Sequence, residues 1–213
     1  MPDVPWWGVA SSVAGPVLLI GGWTLAADLQ PRFDPVSETV SELAAVGATD
    51  RWVMTGTFLV VGLCYVITAL SLRPARIPGR LILAAGAIAG MMVAANPEHP
   101  TSDHFGSVSH FVWASIGFAG LTLWPAGSWR RGPSVPWALR PAAGVAAIAV
   151  LFVLLTWFGA ELATGAGQAG LAERVMGAAQ TAWPLALVLS CRAPLPWRSY
   201  RGEAVPDQPT RAA

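Results

Sequence analysis

The chain has 213 residues, of which 54% are hydrophobic and 12% are charged, and its formal net charge is +1. Soluble domains usually carry about twice that fraction of charged residues, so the composition favours a membrane protein. The small net charge, together with the lack of a basic run outside the loops assigned below to the inner side, argues against nucleic acid as a partner.

Six apolar stretches are each close to the length of a transmembrane helix, which needs about 20 mostly apolar residues. Six such helices use about 120 residues, so little is left for a soluble domain. We therefore predict an all-α, polytopic membrane bundle, with one membrane domain over residues 1–195 and a disordered cytoplasmic tail over 196–213. The predicted spans are 8–29, 52–72, 81–95, 108–127, 141–162 and 175–191.

The charged residues separate into two groups along this pattern. Ten of the 13 basic residues follow the second, fourth and sixth spans, whereas nine of the 12 acidic residues and all three histidines fall on the other side. Because basic loops stay in the cytoplasm, both termini are predicted to be cytoplasmic and the protein to be a multi-pass protein of the cell membrane. Any chemistry is then expected at the outer leaflet.

The loop between the first two spans has a pattern of its own. Asp34 can cap a helix that has Pro35 at its first position, and Gly47 can end it. Its apolar residues recur at helical spacing. The sequence thus predicts a short amphipathic helix over residues 34–46 that rests on the outer mouth of the bundle. The side chains expected to point inward are Val36, Val40 and Leu43.

This loop also carries a family resemblance. It combines an aromatic-Asp-Pro start at residues 33–35 with a Ser-Glu-Leu step at 41–43, and Gly47 and Trp52 follow. Asn96-Pro97 before Gly106 and His110 is a second landmark, and Glu173-Arg174 before the last span is a third. Over residues 8–191 the chain resembles the bacterial and archaeal membrane family catalogued as domain of unknown function 998. The resemblance implies a six-helix membrane protein and no particular activity.

The sharpest cluster of chemical groups links the third and fourth spans. It holds His99, Asp103, His104 and His110, with Glu98 beside it. A histidine buried in a membrane is costly unless it has a partner, so His110 is a functional candidate. Three interpretations compete: a wet loop with a helix-capping histidine, an acid/base site, or a metal site. The spacing does not match the helix-borne H-E-x-x-H pattern, so we predict neither a metal nor a cofactor.

A second set consists of carboxylates at the outer side. Glu38 and Glu42 lie one helical turn apart in the predicted loop helix, where a solvated face is the simpler explanation. Glu161 follows Trp157 by one turn at the end of the fifth span, where it is either a buried acid or a wet marker of the interface. The predicted catalytic residues are His110, Asp103, His104, Glu161, Glu38 and Glu42.

Several large side chains inside the spans are candidates for a substrate site. Most tryptophans lie near span ends, as interfacial residues do, but four lie within spans. Gln180 also lies inside the sixth span, where polar residues usually join helices. The predicted substrate-binding residues are Trp23, Trp113, Trp157, Trp183 and Gln180.

Three functions are consistent with these features. The first is a membrane-embedded enzyme that acts on a lipid or isoprenoid by acid/base chemistry, most concretely by isomerisation or cyclisation. The second is a transporter or channel component. The prolines Pro16 and Pro184 within spans favour this function, whereas the lack of an intramembrane Arg or Lys and of an inverted repeat counts against it. The third is a non-catalytic membrane partner protein. The predicted partners are the bilayer and a lipid or isoprenoid molecule, and the sequence specifies no oligomeric state.

Overall fold

The computed structural model describes residues 4–99 and 107–193. Within these ranges the chain is all-α, with six long helices and no strand. The helices are α1 Trp6–Asp28, α2 Trp52–Ser71, α3 Ile77–Ala95, α4 Val108–Ser128, α5 Pro141–Thr164 and α6 Ala169–Arg192. Single 3-10 turns occur at Glu42–Ala44 and Trp137–Leu139. The predicted six-helix, all-α bundle is confirmed, whereas Asp103, His104 and the tail 196–213 lie outside the described residues.

Four of the helices, α1, α2, α3 and α5, are long and apolar enough to cross a membrane. Many of their large apolar side chains point away from the bundle, among them Phe152 and Val153 of α5, which are 59% and 65% exposed. Such an outward apolar surface is stable in lipid and costly in water. The chain is therefore a membrane protein with several spans. Helices α4 and α6 are as long but carry more polar residues.

The two ends of the bundle differ in the sign of their charged residues. Consecutive helices pack against each other, so the loops alternate between one end and the other. All acidic residues in the described part of the chain lie at the end formed by residues 29–51, 96–99 and 165–168 and the adjoining helix ends, here called the acidic end. The opposite, basic end holds Arg73, Arg76, Arg80, Arg130, Arg131, Arg140 and Arg192.

Helices α3 and α4 approach each other backbone to backbone. A Cβ on Gly120 would lie 2.9 Å from the Cα of Gly86, and a Cβ on Gly127 would lie 2.6 Å from the backbone nitrogen of Gly79. Only glycine fits at these crossings, and small residues at helix interfaces are the usual means of close packing in membranes.

The predicted amphipathic helix over residues 34–46 is wrong. The segment is a series of turns with one 3-10 turn at Glu42–Ala44. Val40 and Leu43 do point inward, with 3% and 1% exposure, but Val36 is 42% exposed. Because of these turns, the loop is compact and covers the acidic end of the bundle.

Side chains explain why no continuous helix forms in this loop. The Asp34 carboxylate accepts the backbone N–H of Val36 and the hydroxyl of Ser37, and the Glu38 carboxylate accepts the N–H of Asp34. The Glu42 carboxylate accepts the N–H of Thr39. The N–H groups of Asp34 and Val36 would lack an internal partner in the first turn of any helix, but those of Thr39 and Val40 would have one. Thr39 donates instead to Glu42 and Val40 to Glu173, so helical pairing stops after Glu38.

Candidate functional site

The loop 33–46 is fastened to the start of α6. The carbonyl of Val36 accepts the N–H of Leu171. The Arg174 guanidinium donates through Nη1 to the carbonyls of Pro35 at 2.8 Å and Glu38 at 2.9 Å. Gly170 comes so close to the Glu38 carbonyl that no Cβ fits between them. These contacts hold the loop over the helix ends. They also bring loop residues 39–42 close to the acidic side chains at the ends of the helices.

Glu173 is the carboxylate to which the loop is joined. It lies early in α6, before the predicted span 175–191, and is 5% exposed. Its Oε2 accepts the backbone N–H of Val40 at 2.5 Å, and its Oε1 lies 3.5 Å from the donating hydroxyl of Ser41. Burial raises the pKa of Glu173 to about 7, because the bond from Val40 and the neighbouring Arg174 oppose this effect only in part. The group can therefore gain or lose a proton near neutral pH.

His110 is held by a carbonyl on one side and a carboxylate on the other. It is 4% exposed at the start of α4. Its Nδ1 lies 2.9 Å from the carbonyl oxygen of Asn96, and its Nε2 lies 3.2 Å from Oε1 of Glu98. A carbonyl can only accept, so Nδ1 must carry a hydrogen. Nε2 then faces the Glu98 carboxyl at 3.2 Å, so the two side chains form a close His–Glu pair.

Glu42 completes the group of acids. Its N–H donates to the hydroxyl oxygen of Thr39, and its carboxylate accepts the N–H of that residue. Partial burial, together with repulsion from Glu98 and Glu38, raises the pKa of Glu42 to about 6, although the residue keeps an exposed edge. The charge of Glu98 thus raises the pKa of both Glu42 and Glu173 at the acidic end.

A groove of about 330 Å³ runs from these groups along the outside of the bundle between α4 and α5. Here it is called the lateral groove. Its polar end is formed by Thr39, Ser41, Glu98, His110 and Glu173. Its walls are formed by Phe111, Ala114, Ser115 and Phe118 of α4 and by Leu155, Phe158, Gly159 and Leu162 of α5. Phe111 and Gly159 are exposed, so the groove opens on the surface that faces lipid.

A second space of about 110 Å³, the central cavity, lies inside the bundle. Its lining comes from α1, α2, α3, α4, α6 and the loop, and it includes five glycines that keep it open: Gly62, Gly86, Gly90, Gly117 and Gly177. Ser41, Ala114, Phe118 and Glu173 line both the central cavity and the lateral groove. Glu173 therefore stands at the wall between them.

The predicted catalytic residues are brought together only in part. His110 meets a carboxylate, that of Glu98, and lies in the same groove as Glu173. The Glu161 carboxylate instead accepts the indole N–H of Trp157 at 3.3 Å and the backbone N–H of Gln168 at 2.9 Å, where it stabilises the start of α6. Glu38 points back along the loop to Asp34. Asp103 and His104 lie outside the described residues.

The predicted substrate-binding residues are also divided. Trp23 and Gln180 line the central cavity. Trp183 lines a separate apolar depression between α5 and α6 and packs edge to face on Trp137, with ring centroids 6.0 Å apart. Trp157 bonds to Glu161, and Trp113 lines neither the groove nor the cavity.

The sequence prediction missed Glu98 and Glu173 as site residues. Glu98 was noted only as a neighbour of the histidines, and Glu173 only as part of a family landmark. The available signal was their position within three residues of an end of an apolar span, where a carboxylate that is kept from water needs a partner. Ser41 gave no such signal, since hydroxyl residues are common in loops.

A family model described as a protein of unknown function, DUF998, matches residues 13–190. The chain belongs to the DUF998 family. The match confirms the resemblance seen in the sequence, and its range contains every residue that lines the lateral groove and the central cavity of this DUF998 protein. No curated protein and no solved structure matches the chain.

Proposed function

We propose that this protein is a membrane-embedded enzyme that isomerises or cyclises a lipid or isoprenoid by acid/base chemistry at the outer leaflet. One observation carries the proposal. A groove that opens toward lipid has apolar and aromatic walls, and it ends on the Glu98–His110 pair and on a buried carboxyl, Glu173. A polar site at the end of an apolar groove suits a molecule with a long hydrocarbon part.

The proposed orientation rests on charge. Basic residues concentrate at one end of the bundle, and membrane proteins keep such loops in the cytoplasm. With all six predicted spans crossing the membrane, both termini are cytoplasmic, and the acidic end with its groove faces the outer leaflet of the cell membrane. A substrate could then enter sideways from the bilayer between α4 and α5, without crossing the aqueous phase.

The chemistry we propose starts with proton transfer from the Glu98–His110 pair to a carbon–carbon double bond. The π electron pair forms the new C–H bond, and the adjacent carbon becomes a cation. Ionised Glu173 then removes a proton from a neighbouring carbon, and the electrons of that C–H bond form a new double bond. If a second double bond of the chain attacks the cation first, a ring closes before the proton is lost. One proton is given and one is taken, so no other reactant is needed.

The side chains suit these roles. The proposed acid is the Glu98–His110 pair, whose Nε2 and Oε1 atoms lie 3.2 Å apart and whose Nδ1 lies 2.9 Å from the carbonyl of Asn96. Glu173 titrates near neutral pH, the range in which a general base is most effective. The rings of Phe118 and Phe158, with centroids 5.6 Å apart, stand in the groove wall, where aromatic faces stabilise positive charge.

The test follows solvent deuterium. Protein in vesicles of phosphatidylethanolamine and phosphatidylglycerol that contain farnesol or geranylgeraniol is incubated in deuterium oxide, and the prenols are analysed by mass spectrometry. Proton transfer to a double bond leaves deuterium in the product. Glu98→Gln and His110→Phe should reduce incorporation by about 10²–10⁴-fold, the usual contribution of general acid catalysis. Glu161→Gln is the matched control and should retain it.

The outcomes separate the hypotheses. Deuterium uptake that depends on Glu98 and His110 supports the enzyme. If no prenol acquires deuterium while the vesicles show protein-dependent proton flux, the transporter alternative replaces the enzyme. Neither activity, with folded protein in the vesicles, would leave the membrane partner protein as the better account. Thermal unfolding of each variant shows whether it is folded.

A further inference from the structure

We propose that the central cavity is a site for a positively charged, branched end group, the size of one isoprene unit with a cationic centre. This deepens the proposed function, on which it rests for the identity of the ligand, by stating where the charged intermediate would be held. The observations are the size of the cavity, the chemical groups of its lining and the fixed orientation of one buried side-chain amide.

The size of the cavity limits what can enter. At about 110 Å³ it is somewhat smaller than the engineered cavities of about 150 Å³ that bind benzene. A branched group of about five carbons fits, whereas a whole polyprenyl chain does not. The lateral groove, with about 330 Å³ and a shared wall at Glu173, leaves room for the following part of the chain.

The lining groups favour positive charge. Four aromatic rings, those of Trp23, Phe58, Tyr65 and Phe118, line the cavity, and Glu173 contributes a carboxyl group. No basic side chain of the described residues lines it. Arg174 follows Glu173 in sequence, but its Nη1 donates to the carbonyls of Pro35, Glu38 and Gly170. Aromatic faces and a carboxylate attract a cation and offer nothing to an anion.

The side-chain amide of Gln180 supplies a further partial negative charge to the cavity. It is 1% exposed and lines the cavity. Its Nε2 donates to the carbonyl of Phe118 at 3.1 Å and to the hydroxyl oxygen of Thr122 at 3.0 Å. Because a carbonyl can only accept, the orientation of the amide is fixed. The amide oxygen Oε1 takes no part in these two bonds, and its partial negative charge adds to the attraction for positive charge.

The experiment compares a cation with its neutral copy. Geranyldimethylamine is protonated at neutral pH, and its carbon isostere has the same shape without the charge. Binding of each is measured by equilibrium dialysis against the full chain in phosphatidylcholine nanodiscs, with protein-free nanodiscs subtracted, so that lipid charge does not contribute. We expect the amine to bind more tightly by about tenfold, in the range of a desolvated cation–π contact plus a carboxylate.

Variants locate the binding. A Cβ on Gly90 meets no atom within 4 Å although the residue lines the cavity, so Gly90→Leu should fill the space and abolish binding of both molecules. Gly21, exposed on α1, also has no atom within 4 Å of a built Cβ, and Gly21→Leu is the matched control that should bind like the wild type. Gln180→Met should keep both molecules bound while reducing the preference for the amine.

Equal binding of amine and isostere would overturn the inference, and so would unchanged binding in Gly90→Leu. These results are independent of turnover. If the amine binds preferentially but no deuterium is exchanged, the cation site is supported and the proposed reaction is rejected. If deuterium is exchanged but the amine is not preferred, the reaction is supported and this cation site is rejected.

Discussion

Glu173 makes the stability of the protein depend on pH in an unusual direction. Burial raises its pKa from 4.5 to about 7, so the folded chain holds this proton over a range in which the unfolded chain has released it. Where the folded state binds more protons, stability falls as pH rises. The decline begins near the ordinary value of 4.5 and is complete just above 7. Between pH 5 and pH 8 it amounts to about 2–3 kcal/mol.

The variant Glu173→Gln isolates this effect. A glutamine oxygen still accepts the N–H of Val40, so the loop keeps its attachment, but the side chain cannot ionise. The wild type should lose about 5–10 °C of Tm between pH 5 and pH 8, since 1 kcal/mol shifts the Tm of a chain of this size by about 2–4 °C. Glu173→Gln should lose much less and be the more stable protein at pH 8.

The assay is thermal unfolding in nanodiscs, followed by tryptophan fluorescence at several pH values. Glu42, with its pKa raised to about 6, adds a smaller decline of the same sign that remains in Glu173→Gln. Glu161→Gln removes a carboxyl outside the groove and should keep the slope of the wild type. A slope that is the same in Glu173→Gln and the wild type would refute the assignment of a buried Glu173 with a raised pKa.

Three further predictions concern orientation and the loop. Reporters fused after the second or the fourth helix should read cytoplasmic, and a reporter in the loop after the first should read external; the opposite pattern would place the groove at the inner leaflet. Gly170→Ala forces a methyl group against the carbonyl of Glu38 and should lower stability by about 1–3 kcal/mol in denaturant unfolding, whereas Gly21→Ala should be neutral or slightly stabilising. Val40→Asp should lower the Tm far more than Val36→Asp, because Val40 is 3% and Val36 is 42% exposed; equal effects would show that the loop is not packed in solution.

The helices were predictable from the sequence because an apolar run of span length has few alternatives in a membrane protein. Five of the predicted spans begin within four residues of the helices observed. The sixth helix begins at Ala169, six residues before the predicted span, because its polar first turns, with Glu173 and Arg174, resemble a loop when no partner is visible.

The loop and the site were also harder to predict because their partner residues are distant in the sequence. The apolar spacing of residues 36–44 is that of a helix, but the polar groups of the loop find partners elsewhere. Arg174 and Glu173, more than 130 positions away, bind its carbonyls and its Val40 N–H. Local spacing contains no information about such contacts. His110 was identified because a buried histidine is costly, whereas its actual partner, Glu98, depended on how two loops meet.

The glycine contacts between α3 and α4 have a mechanical consequence. Where two backbones touch at Gly86 and Gly120, there are no side chains whose rotation could absorb a displacement, so the two helices behave as one stiff body. Helix α5 has few buried residues and borders the lateral groove with Leu155, Phe158, Gly159 and Leu162. When a hydrocarbon chain enters between α4 and α5, α5 is therefore the helix that moves. Widening of the groove is therefore expected as a tilt of this single helix, while the wall that carries His110 keeps its geometry.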